Sequence, residues 1–281
     1  MNQYLKNMIT QNDFSLIGAD GKLIIGDITF DDKNPNTPVV LFVHGFKGFK
    51  DWGAHNLVAR YFAANGYRYV KFNLSHSGVP ADSPTDVSDL ETFANNTVSK
   101  ELFDVNAALD FIEKAYGKET EINLIGHSRG GGLAIIEAAN DLRIKKLITW
   151  SAISGFNSLW KNEQEEEWKK TGKIYVTNVR TKEQMPLNVT LLEDFEKNAE
   201  TLDILKATKR VNIPWLIVQG DDDVNVPFEH AQKLADANPN SRLVKIEGAN
   251  HVYGASHPYE NETLPPLLFK VCEKVLTFLG E

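Results

Sequence analysis

Residues Ile122-Asn123-Leu124-Ile125-Gly126-His127-Ser128-Arg129-Gly130-Gly131-Gly132-Leu133-Ala134 carry the reading of the whole chain. A short aliphatic run, read as a buried strand, ends in Gly126-x-Ser128-x-Gly130, and a helix of small residues is expected to start directly after it. A serine whose Oγ projects from so tight a strand-to-helix turn holds a strained backbone. Side chains two residues to either side would clash there, so glycine belongs at both places. A helix beginning at Arg129 aims its first N–H groups and its positive dipole end at an anion formed beside Ser128. A merely capping serine would not require both glycines, so Ser128 reads as a nucleophile.

Working outward, similar aliphatic runs recur at Val39 to Val43, Tyr69 to Phe72, Leu147 to Trp150, Trp215 to Val218 and Leu243 to Ile246, and all are predicted to be interior strands. Leu23 to Phe30 alternates in part and is predicted to be an antiparallel edge strand. Between the runs, Val98, Leu102, Val105, Leu109 and Ile112 recur at helical spacing, and Gly130 to Ala139, Glu229 to Ala237 and Leu267 to Leu279 are further helices, the last announced by Pro265-Pro266. Strands alternating with helices predict an α/β fold around a mostly parallel sheet. Residues 155–199 break the rhythm and are read as an inserted cap, leaving residues 1–154 and 200–281 as the core domain.

The chain of 281 residues carries 30 Lys+Arg against 38 Asp+Glu, a net charge of −8, which excludes binding to nucleic acid by phosphate neutralisation. Its 42% hydrophobic and 24% charged residues suit a globular domain rather than a disordered or fibrous chain. The single cysteine, Cys272, excludes an internal disulfide and a zinc knuckle and is expected in the core. Residues Met1 to Lys6 show no basic region leading into an apolar stretch, and no apolar run approaches the roughly 20 residues of a membrane helix. A cytoplasmic protein without membrane contact, monomer or homodimer, is the expectation.

A serine hydroxyl needs a base to take its proton, and the base needs a third group to fix its tautomer. Of seven histidines, His251 in Gly248-Ala249-Asn250-His251 is best placed, shortly after the last strand, with His257 as the alternative. His127, beside the nucleophile, is expected to pack or bond locally. For the acid, Asp221, Asp222 and Asp223 follow the strand ending at Val218, and these residues alone do not choose among them. A calcium loop lacks its later Gly and Glu here, so no metal site is expected.

These segments identify the chain as similar to the α/β-hydrolase superfamily: His44-Gly45-Phe46 after a strand, the turn at Ser128, Gly220-x-x-Asp223-x-x-Val226-Pro227, and Gly248-Ala249-Asn250-His251. The resemblance covers the chain from about Leu23 onward and implies an α/β-hydrolase fold with a triad Ser128, Asp223 and His251. It selects Asp223 by its place three residues after the glycine. It also implies an oxyanion hole formed by the amides of Phe46 and Arg129. Among relatives, the chain looks most similar to bacterial carboxylesterases of the cinnamoyl and feruloyl type, in which cap aromatics help hold the substrate. By that likeness His44, Trp160, Trp168 and Tyr175 are candidate substrate contacts.

The implied activity is hydrolysis of small or aromatic carboxylic esters through an acyl-enzyme, with no cofactor and a small-molecule ester as partner. A serine peptidase or aminopeptidase would use the same residues, reading a peptide terminus with a charged cap residue such as those of the Glu163 to Glu167 cluster. A non-catalytic ligand receptor is the alternative of another class, and the complete Ser-Asp-His set argues against it. Haloalkane dehalogenase chemistry is excluded, because it needs a carboxylate where Ser128 stands.

Overall fold

Val39-Val40-Leu41-Phe42-Val43 is fully buried, and its side chains alternate between two cores: Val39, Leu41 and Val43 enter one, Val40 and Phe42 the other. Apolar residues on both faces are what a central strand of a covered parallel sheet requires. The computed structural model describes residues 9–34 and 37–281 and places this strand, β3, inside an eight-stranded sheet. The other strands are β1 Ile9–Ile17, β2 Leu23–Asp31, β4 Arg68–Phe72, β5 Ile122–His127, β6 Ile144–Trp150, β9 Trp215–Gly220 and β10 Arg242–Ile246, while β7 Lys173–Thr177 and β8 Gln184–Asn188 pair separately as an antiparallel hairpin. The sheet order is β1-β2-β4-β3-β5-β6-β9-β10, antiparallel from β1 to β4 and parallel from there on.

The helices are α1 His55–Ala64, α2 Leu90–Ala94, α3 Val98–Tyr116, α4 Arg129–Ala138, α5 Glu165–Thr171, α6 Thr190–Lys197, α7 Ile204–Thr208, α8 Phe228–Ala237 and α9 Pro266–Leu279. α1 and α9 cover one face of the sheet through Val58, Phe62, Val271 and Val275. α3, α4, α7 and α8 cover the other through Val105, Leu109, Leu133, Ile204 and Leu234. Cys272 is fully buried in α9. No helix among the described residues is long and apolar enough to cross a membrane.

Two expectations about the sheet need correction. Leu23–Asp31 is antiparallel as expected but is not the edge, because β1 pairs along its whole length. The β1 sequence Ile-Thr-Gln-Asn-Asp-Phe-Ser-Leu-Ile is too polar to announce a strand; it is held by main-chain pairing on a half-exposed edge. β10 is the other edge rather than an interior strand, since nothing in Arg-Leu-Val-Lys-Ile distinguishes a last strand from a middle one until its neighbours are known. The reading of residues 1–6 lies outside the described residues.

α4 carries a charge that its packing does not favour. Glu137 is buried near its C-terminal end, and burial, reinforced by the nearby Asp141, pushes its carboxyl up to about 7 against the opposing pull of Arg143. Below about pH 4.5 both the folded and the unfolded chain hold this proton. Between about pH 4.5 and 7 the unfolded chain ionises first, so folding loses about 3 kcal/mol, a loss that persists above pH 7. Glu137→Gln is therefore expected to raise stability in urea melts at pH 8 and to change it little at pH 4. An equal gain at both pH values would show that the burial cost of the charge is not the cause.

Candidate active site

Ser128 lies between β5 and α4 with φ 58° and ψ −121°, a conformation that a residue with a side chain adopts at a cost of about 1–3 kcal/mol. The flanking glycines have a steric reason. A Cβ on Gly126 would lie 2.3 Å from the Gly130 carbonyl oxygen, and one on Gly130 would lie 2.4 Å from the carbonyl oxygens of Val43 and His44. The turn thus presses against the end of β3, which brings the loop His44-Gly45-Phe46-Lys47-Gly48 beside Ser128.

That loop is pinned from both sides. His44 is buried; burial lowers its pKa to about 4, so the ring is neutral. Its Nε2 accepts from the Leu74 amide at 3.2 Å, which leaves the proton on Nδ1 to donate to the Gly45 carbonyl at 2.9 Å. Further along, the Lys50 and Lys71 ammonium groups share the buried Asp27 carboxylate at 2.7 and 2.6 Å, and both also bond Asp51. The Lys50 amide donates to Asn73 at 2.7 Å.

The amides of Phe46 and Arg129 have no hydrogen-bond partner among the described residues. The side chains of the same two residues touch. The Arg129 guanidinium is buried, lies 5.4 Å from the Phe46 ring and 6.0 Å from that of Phe156, and donates through Nε to Glu101 on α3 at 2.6 Å. Burial raises the Glu101 carboxyl, although Arg129 and a hydrogen bond from Asn96 at 2.7 Å oppose the rise. Glu101→Leu would leave the guanidinium buried without its counter-charge. It is expected to cost about 3–5 kcal/mol of stability, read from denaturant unfolding. A loss below about 1 kcal/mol would mean that Arg129 finds another partner.

From the opposite side of Ser128, the loop after β10 brings in His251. Its Nδ1 donates to Asp223 Oδ2 at 2.8 Å. Burial pushes the Asp223 carboxyl up, but the bonds from His251 and the Val226 amide outweigh it and hold the carboxyl below its ordinary value. Oδ1 accepts from the amides of Asn225 and Val226 at 2.9 Å each, and Oδ2 also accepts from Gln219 at 3.0 Å. Asp221 and Asp222 are exposed. Asp221 accepts from the Gly248 amide at 2.7 Å, and Asp222 donates its amide to the Ala249 carbonyl, so both hold the loop that carries His251 rather than its ring.

The other histidines have local tasks. His127 bonds the His251 carbonyl through Nε2 at 2.9 Å, and burial, followed by the nearness of His251, lowers its pKa to about 3. His257 accepts the Gly53 amide at Nδ1, donates from Nε2 to the Thr85 carbonyl, and packs against Trp52 and Phe49.

Ser128 and His251 open into a cavity of about 340 Å³. Its walls are the His44 loop with Trp52 and His55, then Ile153, Asn225, Val226 and Val252, and from residues 155–199 Ser158, Leu159, Asn178, Val179 and Arg180. Of the four expected substrate contacts, only His44 lines this cavity. Trp160 and Trp168 pack on each other edge to face at 5.6 Å, and their indole N–H groups are taken by Glu165 and the Leu187 carbonyl; both belong to the hydrophobic core on the α3 and α4 face of the sheet. Tyr175 points outward from β7 and is 57% exposed. No residue of the acidic stretch 163–167 reaches the cavity. Sequence reasoning overlooked Trp52, Lys47 and Arg180. Lys47 directly follows His44-Gly45-Phe46, but nothing local marked its side chain as facing a cavity.

A family profile described as the alpha/beta hydrolase fold matches residues 38–182, and one described as TAP-like protein matches residues 194–262. A bifunctional esterase/perhydrolase of Acinetobacter calcoaceticus is 25% identical over 266 residues, covering 80% of this chain and 89% of the relative. A Pseudomonas savastanoi protein named "Putative carbamate hydrolase RutD" is 36% identical over 59 residues only, 21% of this chain and 23% of that relative's length. Among solved structures, the ferulic acid complex of Est1E from Butyrivibrio proteoclasticus superposes with a TM-score of 0.68 at 22% identity, covering 95% of this chain and 98% of that one. Because the first profile spans the strand, turn and helix around Ser128 together with more than half of the sequence, the chain belongs to the alpha/beta hydrolase fold family.

Proposed function

We propose that the protein is a serine carboxylesterase in which Ser128 is the nucleophile, His251 the general base and Asp223 the group that orients it. The observation that carries the reading is Ser128 at a strained turn on the floor of a cavity that His251, hydrogen-bonded to a buried Asp223, also lines. With Nδ1–H committed to Asp223, His251 Nε2 is left as the acceptor for the serine proton. Ser128 Oγ then bonds the ester carbonyl carbon, the Phe46 and Arg129 amides hold the oxyanion, and His251 returns the proton to the departing alkoxide. Water, deprotonated by His251, attacks the acyl carbonyl carbon; the acyl–Oγ bond breaks, His251 returns the proton to Ser128 Oγ, and the acid is released. Each oxyanion donor contributes about 10²–10³ in rate by analogy with measured cases. Residues 155–199 act as a lid, supplying one wall of the cavity through Leu159, Asn178, Val179 and Arg180.

The named esterase relative and the ferulic acid complex guide the choice of substrates. Short-chain p-nitrophenyl esters, methyl ferulate and an aminoacyl p-nitroanilide should be compared under one set of conditions. Turnover of the esters without the anilide is expected. Cleavage of the anilide alone would replace the esterase by a peptidase, a reading disfavoured by a cavity wall whose described residues include Lys47 and Arg180 and no carboxylate to pair with a peptide ammonium group.

A further inference from the structure

Among the described residues, the charged side chains that line the cavity beyond the histidines are Lys47 and Arg180, both cationic, with no Asp or Glu beside them, although the chain as a whole carries a net charge of −8. We propose that the cavity binds esters that carry a free carboxylate elsewhere in the molecule, with Lys47 and Arg180 as the residues that read it. This rests on the esterase reading above and adds the class of substrate.

Three observations support it. Lys47 adopts φ 59° between Gly45 and Gly48, where glycine would be unstrained, so the loop retains a lysine side chain against its backbone preference. The Lys47 ammonium is half-buried and is met by the Thr177 carbonyl at 3.2 Å and the Phe46 ring at 5.5 Å rather than by a carboxylate. Burial lowers its pKa, so an arriving anion would strengthen the charged form.

Arg180, on the turn joining β7 to β8, pairs through one Nη with Asp86, which is not part of the cavity wall. With that guanidinium already compensated, the wall has about one positive charge in excess. One excess charge matches a carboxylate monoanion better than a phosphate dianion. The remaining guanidinium N–H groups can still donate. His44, His55 and His127 add no charge, because burial lowers their pKa values to about 4, 3 and 3. His251, hydrogen-bonded to the ionised Asp223, is the working base, and its charge in the resting enzyme is not needed for the match. Hydrolysis of such a substrate consumes one water and yields an alcohol and an acid, and the recognised carboxylate is unchanged throughout.

The test uses two matched pairs of esters: the mono-p-nitrophenyl ester of adipic acid against its methyl-capped diester, and 4-acetoxybenzoate against its methyl ester. The first pair places the carboxylate on the acyl side, the second on the alcohol side. The wild-type chain is expected to favour the carboxylate member of at least one pair by about 10-fold in kcat/KM, mainly through KM, and the preference should shrink with added salt. In Lys47→Met and Arg180→Met the ratio within that pair should fall towards one. Turnover of the neutral members with no preference for the charged ones in either pair would overturn the proposal and leave the esterase reading standing. If no ester at all is turned over, the esterase reading fails, and calorimetric titration of the Ser128→Ala chain with monomethyl adipate against dimethyl adipate decides the anion site. Selective binding of the monoanion, lost in Lys47→Met, supports it; equal or no binding of the two overturns it.

Discussion

Ser128→Ala is expected to lower ester hydrolysis by on the order of 10⁴–10⁶, with the far-ultraviolet circular dichroism and the unfolding midpoint close to those of the parent chain. The loss is large because, in the proposed mechanism, removal of Oγ deletes the atom that forms the acyl bond. Residual catalysis from the oxyanion donors and binding is all that remains. The fold should persist because Ser128 Oγ makes no hydrogen bond that caps α4, and the turn is shaped by close packing at Gly126 and Gly130 against neighbouring backbone. Alanine keeps the Cβ already accommodated there. A His251→Ala change should cost about as much as Ser128→Ala, and the double change should cost little more, since nucleophile and base act as a unit. Retention of a tenth or more of the activity in Ser128→Ala would remove this serine from the mechanism.

Asp223→Asn is expected to reduce kcat by about 10⁴. The reason lies in the hydrogen bonds from Asn225, Val226, Gln219 and His251 to this carboxylate, every one of which it accepts. Oδ1 takes two backbone amides, so an asparagine would place its carbonyl oxygen there and turn its NH₂ towards His251 Nδ1 and the Gln219 NH₂. Donor would then face donor, and His251 would have to move its proton to Nε2, the position that must be free to accept from Ser128. Asp221→Asn, which alters an exposed carboxylate bonded to the Gly248 amide, should change kcat by no more than a few-fold. Steady-state kinetics of the two variants side by side separate the assignments: a larger effect at Asp221 would move the acid to the wrong strand-end residue and refute the present one.

The sequence carried the local parts of this protein. Gly126-x-Ser128-x-Gly130 between an aliphatic run and a small-residue helix was legible because the forces that shape the turn act within a few residues of it and against the adjoining strand. Mainly aliphatic runs revealed β3, β5 and β9, because strands covered on both faces are mostly apolar, with Asn123 and Gln219 as buried polar exceptions. Helical periodicity gave α3 and α9 for the same reason, each burying one stripe on the sheet.

Tertiary structure decided what depends on meetings between distant segments. Residues 9–17 became an edge strand through main-chain pairing with β2, to which side-chain pattern contributes little. Of Asp221, Asp222 and Asp223, which local chemistry left equivalent and only the family resemblance separated, it is Asp223 that bonds a residue 28 positions later, while His257 is bonded to Gly53 and Thr85. Trp160 and Trp168 look like ligand-binding aromatics in isolation. They turned inward because burying their large apolar surface joins residues 155–199 to the hydrophobic core on the α3 and α4 face of the sheet. Lys47 and Arg180, 133 positions apart, line one cavity only because the β7–β8 hairpin folds back over the loop after β3. Backbone strain and aliphatic runs are written into neighbouring residues, whereas the charge of a cavity wall is the sum of side chains that no local pattern places together.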